Sequence, residues 1–256
     1  MNQAEPKHDI KIREVSGVKE FNLCIELQRA AFKLPDLEIS PLRHFIVTNS
    51  CGGFTLGAFV KDELVGFVHH LAAVRNGEII GYSHMAAISP DFQNAGIGAR
   101  LKWAQREKAL SQGVRFIKWT FEPMLPRNAH FNLNRLGATI STYAENYYGT
   151  DYHVNFESFD KPVGLDSDRL FASWQLDSER VECFEHGEIP EIKSEITRII
   201  EIPANWSALV KNEPNKAREE QLRVRAEFQT AFADNLICAK FERGAEISRY
   251  LLYRNI

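Results

Sequence analysis

Cysteine is scarce in this chain: four residues in 256, at Cys24, Cys51, Cys183 and Cys238, none near another. That spacing lacks the close pairs of a zinc knuckle or a redox dithiol, and it fits buried thiols in a reducing compartment. Long apolar runs are missing too, since nothing approaches the roughly 20 consecutive apolar residues that a bilayer span needs. The opening MNQAEPKHDI has no basic flank followed by an apolar core, so no secretory leader is read there. Basic charge is not in surplus either: 31 Lys and Arg stand against 34 Asp and Glu, a formal net charge of −3. Without a positive excess there is no electrostatic footprint for a phosphate backbone. These absences predict a cytoplasmic protein with neither membrane nor nucleic acid as partner.

What is present is ordinary globular composition, 44% hydrophobic and 25% charged, at a length that allows one large domain or two small ones. IKIREV alternates as a half-buried strand, and residues 18–32 repeat apolar positions at helical spacing. A short helix is predicted over residues 42–48, and Cys51-Gly52-Gly53 then releases the chain into FTLGAFV. KDE turns that strand into LVGFVHHLAAV, and Asn76-Gly77 turns it again into GEIIGYSHMAAIS, giving three antiparallel strands in sequence order. A helix follows from Gly96 to about Leu110, then the strand FIKWTF, a helix over about 128–136 closed by Gly137, and strand-like ATISTYA and RLFASWQL. Past residue 178 the signal weakens, and HGEIPEIKSEITRIIEIPANW reads as a linker edge or an irregular strand. An amphipathic helix over residues 213–233 and two strands around Arg243-Gly244 close the chain, which holds no repeat.

Residues 84–101, HMAAISPDFQNAGIGARL, form a strand, a bare polar loop and the start of a helix. Such a loop aims several backbone N–H groups and the helix dipole at one point, which attracts phosphate. Glycine matters there because a side chain would hold the anion off the amides, and because some positions need positive φ. The dinucleotide pattern GxGxxG fails at Leu101, and the phosphate-loop pattern fails because Ala99 and Arg100 follow Gly98. What remains is Q-x-x-G-x-G, spelled by Gln93, Asn94, Ala95, Gly96, Ile97 and Gly98.

With that motif and the surrounding order of elements, residues 10–150 resemble the GNAT N-acetyltransferase superfamily. The resemblance implies an α/β (α+β) fold, a mixed, mostly antiparallel twisted sheet flanked by helices, with acetyl-CoA as acyl donor. It implies that the amides of Asn94, Ala95, Gly96, Ile97, Gly98 and Ala99 hold the CoA pyrophosphate, and that main-chain groups of Ala86 and Ile88 hold the pantetheine arm. Arg100, Lys102 and Arg106 either reach the remaining phosphate or stand as solvated charge. The Ala86 N–H becomes the oxyanion donor. Acyl transfer also needs a base and an acid. His84, two residues before Ala86, would share its face of a regular strand and titrates near neutrality; it is a candidate base or a satisfied core histidine. Glu122 ends the strand that neighbours the motif strand in this fold, and is either base, amine anchor or a cap for the next helix. The acid is unassigned: Leu133 stands where the family often has tyrosine, so Tyr143, Tyr147, Tyr148 or solvent would serve. Pro126 replaces a common asparagine, with Asn128, His130 and Asn132 nearby as contacts or helix-capping residues. The adjacent His69 and His70 would point to opposite strand faces and chelate nothing together, so no metal is assigned.

The family fold needs about residues 1–178, leaving 179–256 as a C-terminal α/β extension that walls the acceptor site or forms a homodimer interface. AENYYGTDYHVNF, residues 144–156, either lines the pocket or packs as core. The expected function is an acetyl-CoA-dependent N-acyltransferase acting on a small-molecule or protein amine in a ternary complex, or on the same fold a non-catalytic acyl-CoA sensor or scaffold. A longer acyl chain on the donor is equally compatible.

Overall fold

A computed structural model describes residues 9–33, 35–152 and 163–256. Most of the opening segment read for a leader, and residues 153–156 of the aromatic stretch, lie outside them. The chain forms two compact units, residues 1–115 and 116–256.

The first unit contains β1 (Ile10–Glu14), α1 (Gly17–Phe32), α2 (Leu42–Ser50), β2 (Phe54–Val60), β3 (Glu63–Arg75), β4 (Glu78–Ile88) and α3 (Ile97–Ser111). Its strands lie in the order β1-β2-β3-β4, paired antiparallel. The β3–β4 turn works as its sequence predicts: Asn76 and Gly77 sit at φ 54° and 83°, the left-handed pair of a tight hairpin. On one face Phe21, Cys24 and Leu27 of α1 and Phe45 of α2 bury against Phe59, Phe67 and Ala87. On the other, α3 buries Ile97, Leu101 and Ala109. Gly66 permits that packing, because a Cβ there would lie 2.7 Å from Ile88 Cδ1 and 3.3 Å from Leu101 Cδ1.

The second unit contains β5 (Phe116–Phe121), α4 (Pro126–Asn134), β6 (Thr139–Ala144), β7 (Arg169–Gln175), α5 (Glu179–Glu185), β8 (Arg198–Pro203), α6 (Trp206–Asn212), α7 (Pro214–Ala233), β9 (Ile237–Glu242) and β10 (Ile247–Tyr253). Its strands run β5-β7-β6-β9-β10-β8, with antiparallel pairings. The stretch beyond residue 178 resolves into α5, capped by the Ser178 hydroxyl accepting the Val181 N–H, and β8, a strand of polar and apolar residues that Pro203 ends. Residues 179–256 continue the sheet of this unit, since β9 meets β6 at Ile140 and Cys238. Phe228 of α7 packs on Tyr143 and Tyr250 at ring distances of 5.8 and 5.1 Å.

A buried ionic cluster ties α7 to the loop before β7. The Arg225 guanidinium donates to Asp168 Oδ2 at 2.9 Å, Asp166 Oδ2 at 2.7 Å and Glu145 Oε1 at 2.7 Å. Asp168 is 1% exposed and also accepts from the Tyr143 hydroxyl at 2.6 Å and the Asn146 N–H at 2.9 Å. A carboxylate taken out of water needs this many donors, because its desolvation costs more than one contact returns.

Candidate active site

β4 departs from regular alternation where the candidate chemistry sits. His69 pairs with Met85 and His70 with Ser83, so His84 is an extra residue in a β-bulge. A bulge turns consecutive side chains toward one side. Ser83 faces α3, its hydroxyl 3.1 Å from Lys102 Nζ. His84 instead faces α2, with its ring 5.1 Å from that of His44, and Met85 packs on the same side against the α1–α2 core. The alternation expected to place His84 with Ala86 and Ile88 fails here, because the bulge inserts a residue between them and Ser83.

The His84 side chain is exposed, and its Nε2 lies 3.4 Å from Ser40 Oγ. Ser40 is clasped by buried Gln28 of α1, which accepts its N–H at 3.1 Å and donates to its carbonyl at 3.4 Å. Three imidazoles meet here: the rings of His44 and His69 are 5.1 Å apart, and those of His69 and His84 6.2 Å. Fully buried His69 pairs its Nδ1 with Thr55 Oγ1 at 2.8 Å, while the Nε2 atoms of His44 and His69 are buried without a partner. Burial, then the neighbouring rings, lowers the His69 pKa to about 3. Burial and His44 likewise lower His84 to about 4. Since His84 keeps an exposed edge, the direction is what matters: at neutral pH its ring is an uncharged acceptor. Among the described residues no group of three or more His, Cys, Asp or Glu side chains is arranged to hold a metal ion.

His70 faces α3, opposite to His69, as adjacent strand residues should. Gln105 Nε2 lies 3.2 Å from its Nδ1, and Lys102 Nζ donates to Gln105 Oε1 at 2.7 Å. Lys102 and Arg106 are not solvated charge; they are 3% and 7% exposed. Burial pushes the Lys102 ammonium well below its ordinary pKa. Arg100 is committed as well, donating to the Ile10 carbonyl at 2.7 Å.

Past Ile88 the chain makes one 3-10 turn, Pro90–Phe92, and enters the glycine loop. Asn94 and Gly96 hold φ of 66° and 76°. Both are left-handed, a conformation asparagine tolerates and glycine adopts freely. A Cβ on Gly96 would meet nothing within 4 Å; Gln93, Asn94, Ala95 and Gly96 are all exposed. The first bond of α3 runs from the Arg100 N–H to the Gly96 carbonyl at 3.2 Å, so the N–H groups of Ile97, Gly98 and Ala99 have no partner within the helix. Exposed Ala86 and half-buried Ile88 precede this loop on β4. The residues predicted from His84 to Ala99 thus lie on one strand and its exit.

Glu122 belongs to the second unit. Its carboxylate accepts from the Trp206 indole N–H at 2.8 Å and caps no helix; α4 starts at Pro126, with no side-chain cap. Burial pushes its pKa up, against the downward pull of Arg169 and Trp206 and with a further push from Asp168. Tyr143 is spent on Asp168, and burial and that bond raise its pKa far above the ordinary phenol range. Tyr148 keeps an exposed ring, with its hydroxyl 3.2 Å from Thr120 Oγ1 and the Arg169 guanidinium 5.1 Å from its centroid. Tyr147 is exposed beside it. Leu133 is a fully buried core residue, and Asn132 accepts from the Trp119 indole at 3.2 Å. Asn128 lies inside α4, which begins earlier than expected because Pro126 suits the first helical turn. His130 carries a buried, unpartnered Nδ1. Trp206, Arg169 and His44 went unread in the sequence; none stands at a motif spacing from the groups it meets.

Comparison with known proteins adds to this geometry. Residues 21–137 match the Acetyltransferase (GNAT) family. No curated protein matches the chain. Among solved structures, the ribosomal-protein-S18-alanine N-acetyltransferase of Escherichia coli is 14% identical with a TM-score of 0.51, covering 66% of this chain and 95% of its own. A putative acetyltransferase from Salmonella typhimurium, solved with its cofactor acetyl-CoA, is 15% identical with a TM-score of 0.51 and the same coverages, 66% and 95%. Arabidopsis thaliana Naa50, solved with the bisubstrate analogue CoA-Ac-MVNAL, is 15% identical with a TM-score of 0.50, covering 64% of this chain and 97% of its own.

Proposed function

We propose, for a chain with the GNAT acetyltransferase fold whose residues 21–137 match that family, that it is an acetyl-CoA-dependent N-acyltransferase. The observation that carries this reading is the exposed loop at the start of α3, where Asn94 and Gly96 are left-handed and the first helical amides have no helical partner. Such a cradle suits a pyrophosphate. The solved relatives that carry acetyl-CoA or a CoA conjugate support the same donor. In this reading residues 1–178 are the catalytic domain and 179–256 an extension that serves the acceptor site, in a cytoplasmic enzyme that acts on a small-molecule or protein amine.

The amine lone pair attacks the thioester carbonyl, and the Ala86 N–H donates to the oxyanion as the C–N bond forms. The C–S bond then breaks, the sulfur takes a proton, and the amide leaves. The attacking nitrogen must lose one proton on the way. A base works best with a pKa near the operating pH. Glu122, raised from the ordinary carboxylate range, moves toward that optimum, while His84, lowered to about 4, moves away. Glu122 is therefore assigned the proton from the amine, and His84 a neutral hydrogen-bond acceptor that orients it. Half-exposed Tyr148 is assigned the acid in preference to Tyr143, whose hydroxyl donates to the buried Asp168 carboxylate.

The test is thiol release from acetyl-CoA against spermidine, free lysine and a pentapeptide with a free N-terminus. Glu122→Gln should lower kcat by about 10²–10⁴, the range of one general base, with acetyl-CoA affinity retained. Wild-type protein that binds acetyl-CoA and releases no thiol with any amine would leave a sensor or scaffold. A Glu122→Gln enzyme of unchanged kcat would remove Glu122 from the chemistry.

A further inference from the structure

Glu122 is held from far along the chain. Trp206, 84 residues later, donates its indole N–H to Glu122 Oε1 at 2.8 Å. That indole is fixed: Trp206 is 5% exposed and opens α6, where Asn205 caps the helix by accepting the Ala208 N–H at 3.1 Å. The backbone beside the carboxylate is fixed too, because the buried Tyr250 hydroxyl of β10 donates to the Pro123 carbonyl at 2.7 Å. Both anchors lie in residues 179–256. Among the described residues of this unit, the other ionisable groups facing Glu122 are Arg169 at the start of β7, Asp168 before it and Tyr250. Arg169 donates to the Asp168 carbonyl at 2.7 Å and is 3% exposed.

We infer that Trp206 is a positioning residue for catalysis: its indole N–H holds the Glu122 carboxylate in one orientation, so that the C-terminal extension is part of the catalytic apparatus. This rests on the reading of Glu122 as the group that takes the amine proton. A hydrogen bond to a carboxylate favours the ionised form, whereas burial disfavours it. Burial wins at Glu122, so the indole acts as a restraint on a carboxyl already biased toward protonation. Removing the N–H while keeping aromatic bulk frees that bias, and the fraction of Glu122 able to accept a proton falls. The carboxylate also loses the donor that fixes its rotamer, which costs kcat at all pH values.

The experiment compares wild type, Trp206→Phe, Trp206→His, which restores a ring N–H, and Glu122→Gln. The kinetic arm records kcat and KM against pH, using whichever of spermidine, lysine or the pentapeptide turns over fastest. Trp206→Phe should lower kcat at least tenfold, move the acidic limb up by about one pH unit, and leave the KM for acetyl-CoA within twofold; Trp206→His should recover part of each loss. The spectroscopic arm needs no turnover. The wild-type minus Trp206→Phe difference in indole fluorescence should titrate in one step that Glu122→Gln abolishes.

Wild-type kcat and pH profile in Trp206→Phe, beside a crippled Glu122→Gln, would overturn this inference and leave the function of Glu122 standing. Full turnover by Glu122→Gln would overturn both. A fluorescence step that persists in Glu122→Gln would also overturn the inference, by separating the indole from the carboxyl. Should Trp206→Phe fail to fold by circular dichroism, Trp206→His takes its place in the fluorescence difference, and a step that persists in Glu122→Gln overturns the inference.

Discussion

Two glycines at opposite ends of α3 separate loop geometry from general strain. Gly96 before the helix and Gly113 after it hold φ of 76° and 80°, and a Cβ at either would meet nothing within 4 Å. Alanine at each position therefore adds backbone strain with no clash. The left-handed conformation costs an alanine about 1–2 kcal/mol, and the stiffer unfolded chain returns about 0.4–1 kcal/mol. Both variants should lose about 1 kcal/mol of stability, a fall in Tm of about 2–4 °C for a protein of this size. Their CoA affinities should diverge. In Gly96→Ala the loop relieves its strain by leaving the left-handed region, which turns an amide away from the pyrophosphate; the loss of one charge-assisted bond, about 1.5–3 kcal/mol, weakens binding by roughly one to two orders of magnitude. In Gly113→Ala the amides at the other end of α3 are untouched, and Kd should stay within twofold. Calorimetry with CoA and a thermal melt on each variant give both numbers. Equal weakening by the two variants, or none by Gly96→Ala, would refute the assignment of the loop.

The buried imidazoles should make the protein acid-labile. His69 and His70 are each held neutral by burial, with a pKa lowered to about 3, below the unfolded value of about 6.5, so their stabilising contribution is complete above that value and is lost as pH falls from it toward the folded pKa. Each adds a slope of about 1.4 kcal/mol per pH unit across that window; urea midpoints should drop steeply below pH 6, and His70→Gln should flatten the slope by one such increment. Arg225→Met leaves Asp168 buried without its cation and should cost about 3–5 kcal/mol in urea unfolding; a loss under 1 kcal/mol would mean that the cluster is not stabilising. Gln28→Ala unclasps Ser40, and should raise the KM of the acceptor amine several-fold while leaving the Kd for acetyl-CoA unchanged; a change in the second without the first would contradict the placement of the acceptor beside His84.

How much of this was legible in the sequence depends on whether the signal was local. Asn76-Gly77 dictates a tight hairpin wherever it falls between strands, and Gly96 marks its own left-handed turn, so the three-strand meander and the loop entering α3 could be read directly. Lys102 could not. A lysine on a helix reads as surface, and the polar partners that permit its burial, Ser83 and Gln105, become partners only once α3 has packed on β4. The bulge at His84 was equally hidden, because register is a property of two strands and alternation within one cannot report it. His44 joins His84 through α2 packing, and Trp206 reaches Glu122 across 84 residues. β8 could be read only as a linker edge or an irregular strand, because a strand of six residues ending in proline carries little periodicity. The meander and the loop entering α3 were thus written in contiguous residues, whereas the environment of the candidate bases was written in pairs far apart.

The central claim is that the loop of residues 93–99 is a CoA-pyrophosphate site, and calorimetric titration of the full chain with acetyl-CoA tests it most directly, with NAD and Gly96→Glu protein as controls. The account predicts micromolar binding of acetyl-CoA, none of NAD, and loss of acetyl-CoA binding in a folded Gly96→Glu variant, where a carboxylate would occupy the place of the phosphate. Absence of acetyl-CoA binding by the wild type, or binding that survives in Gly96→Glu, would contradict it.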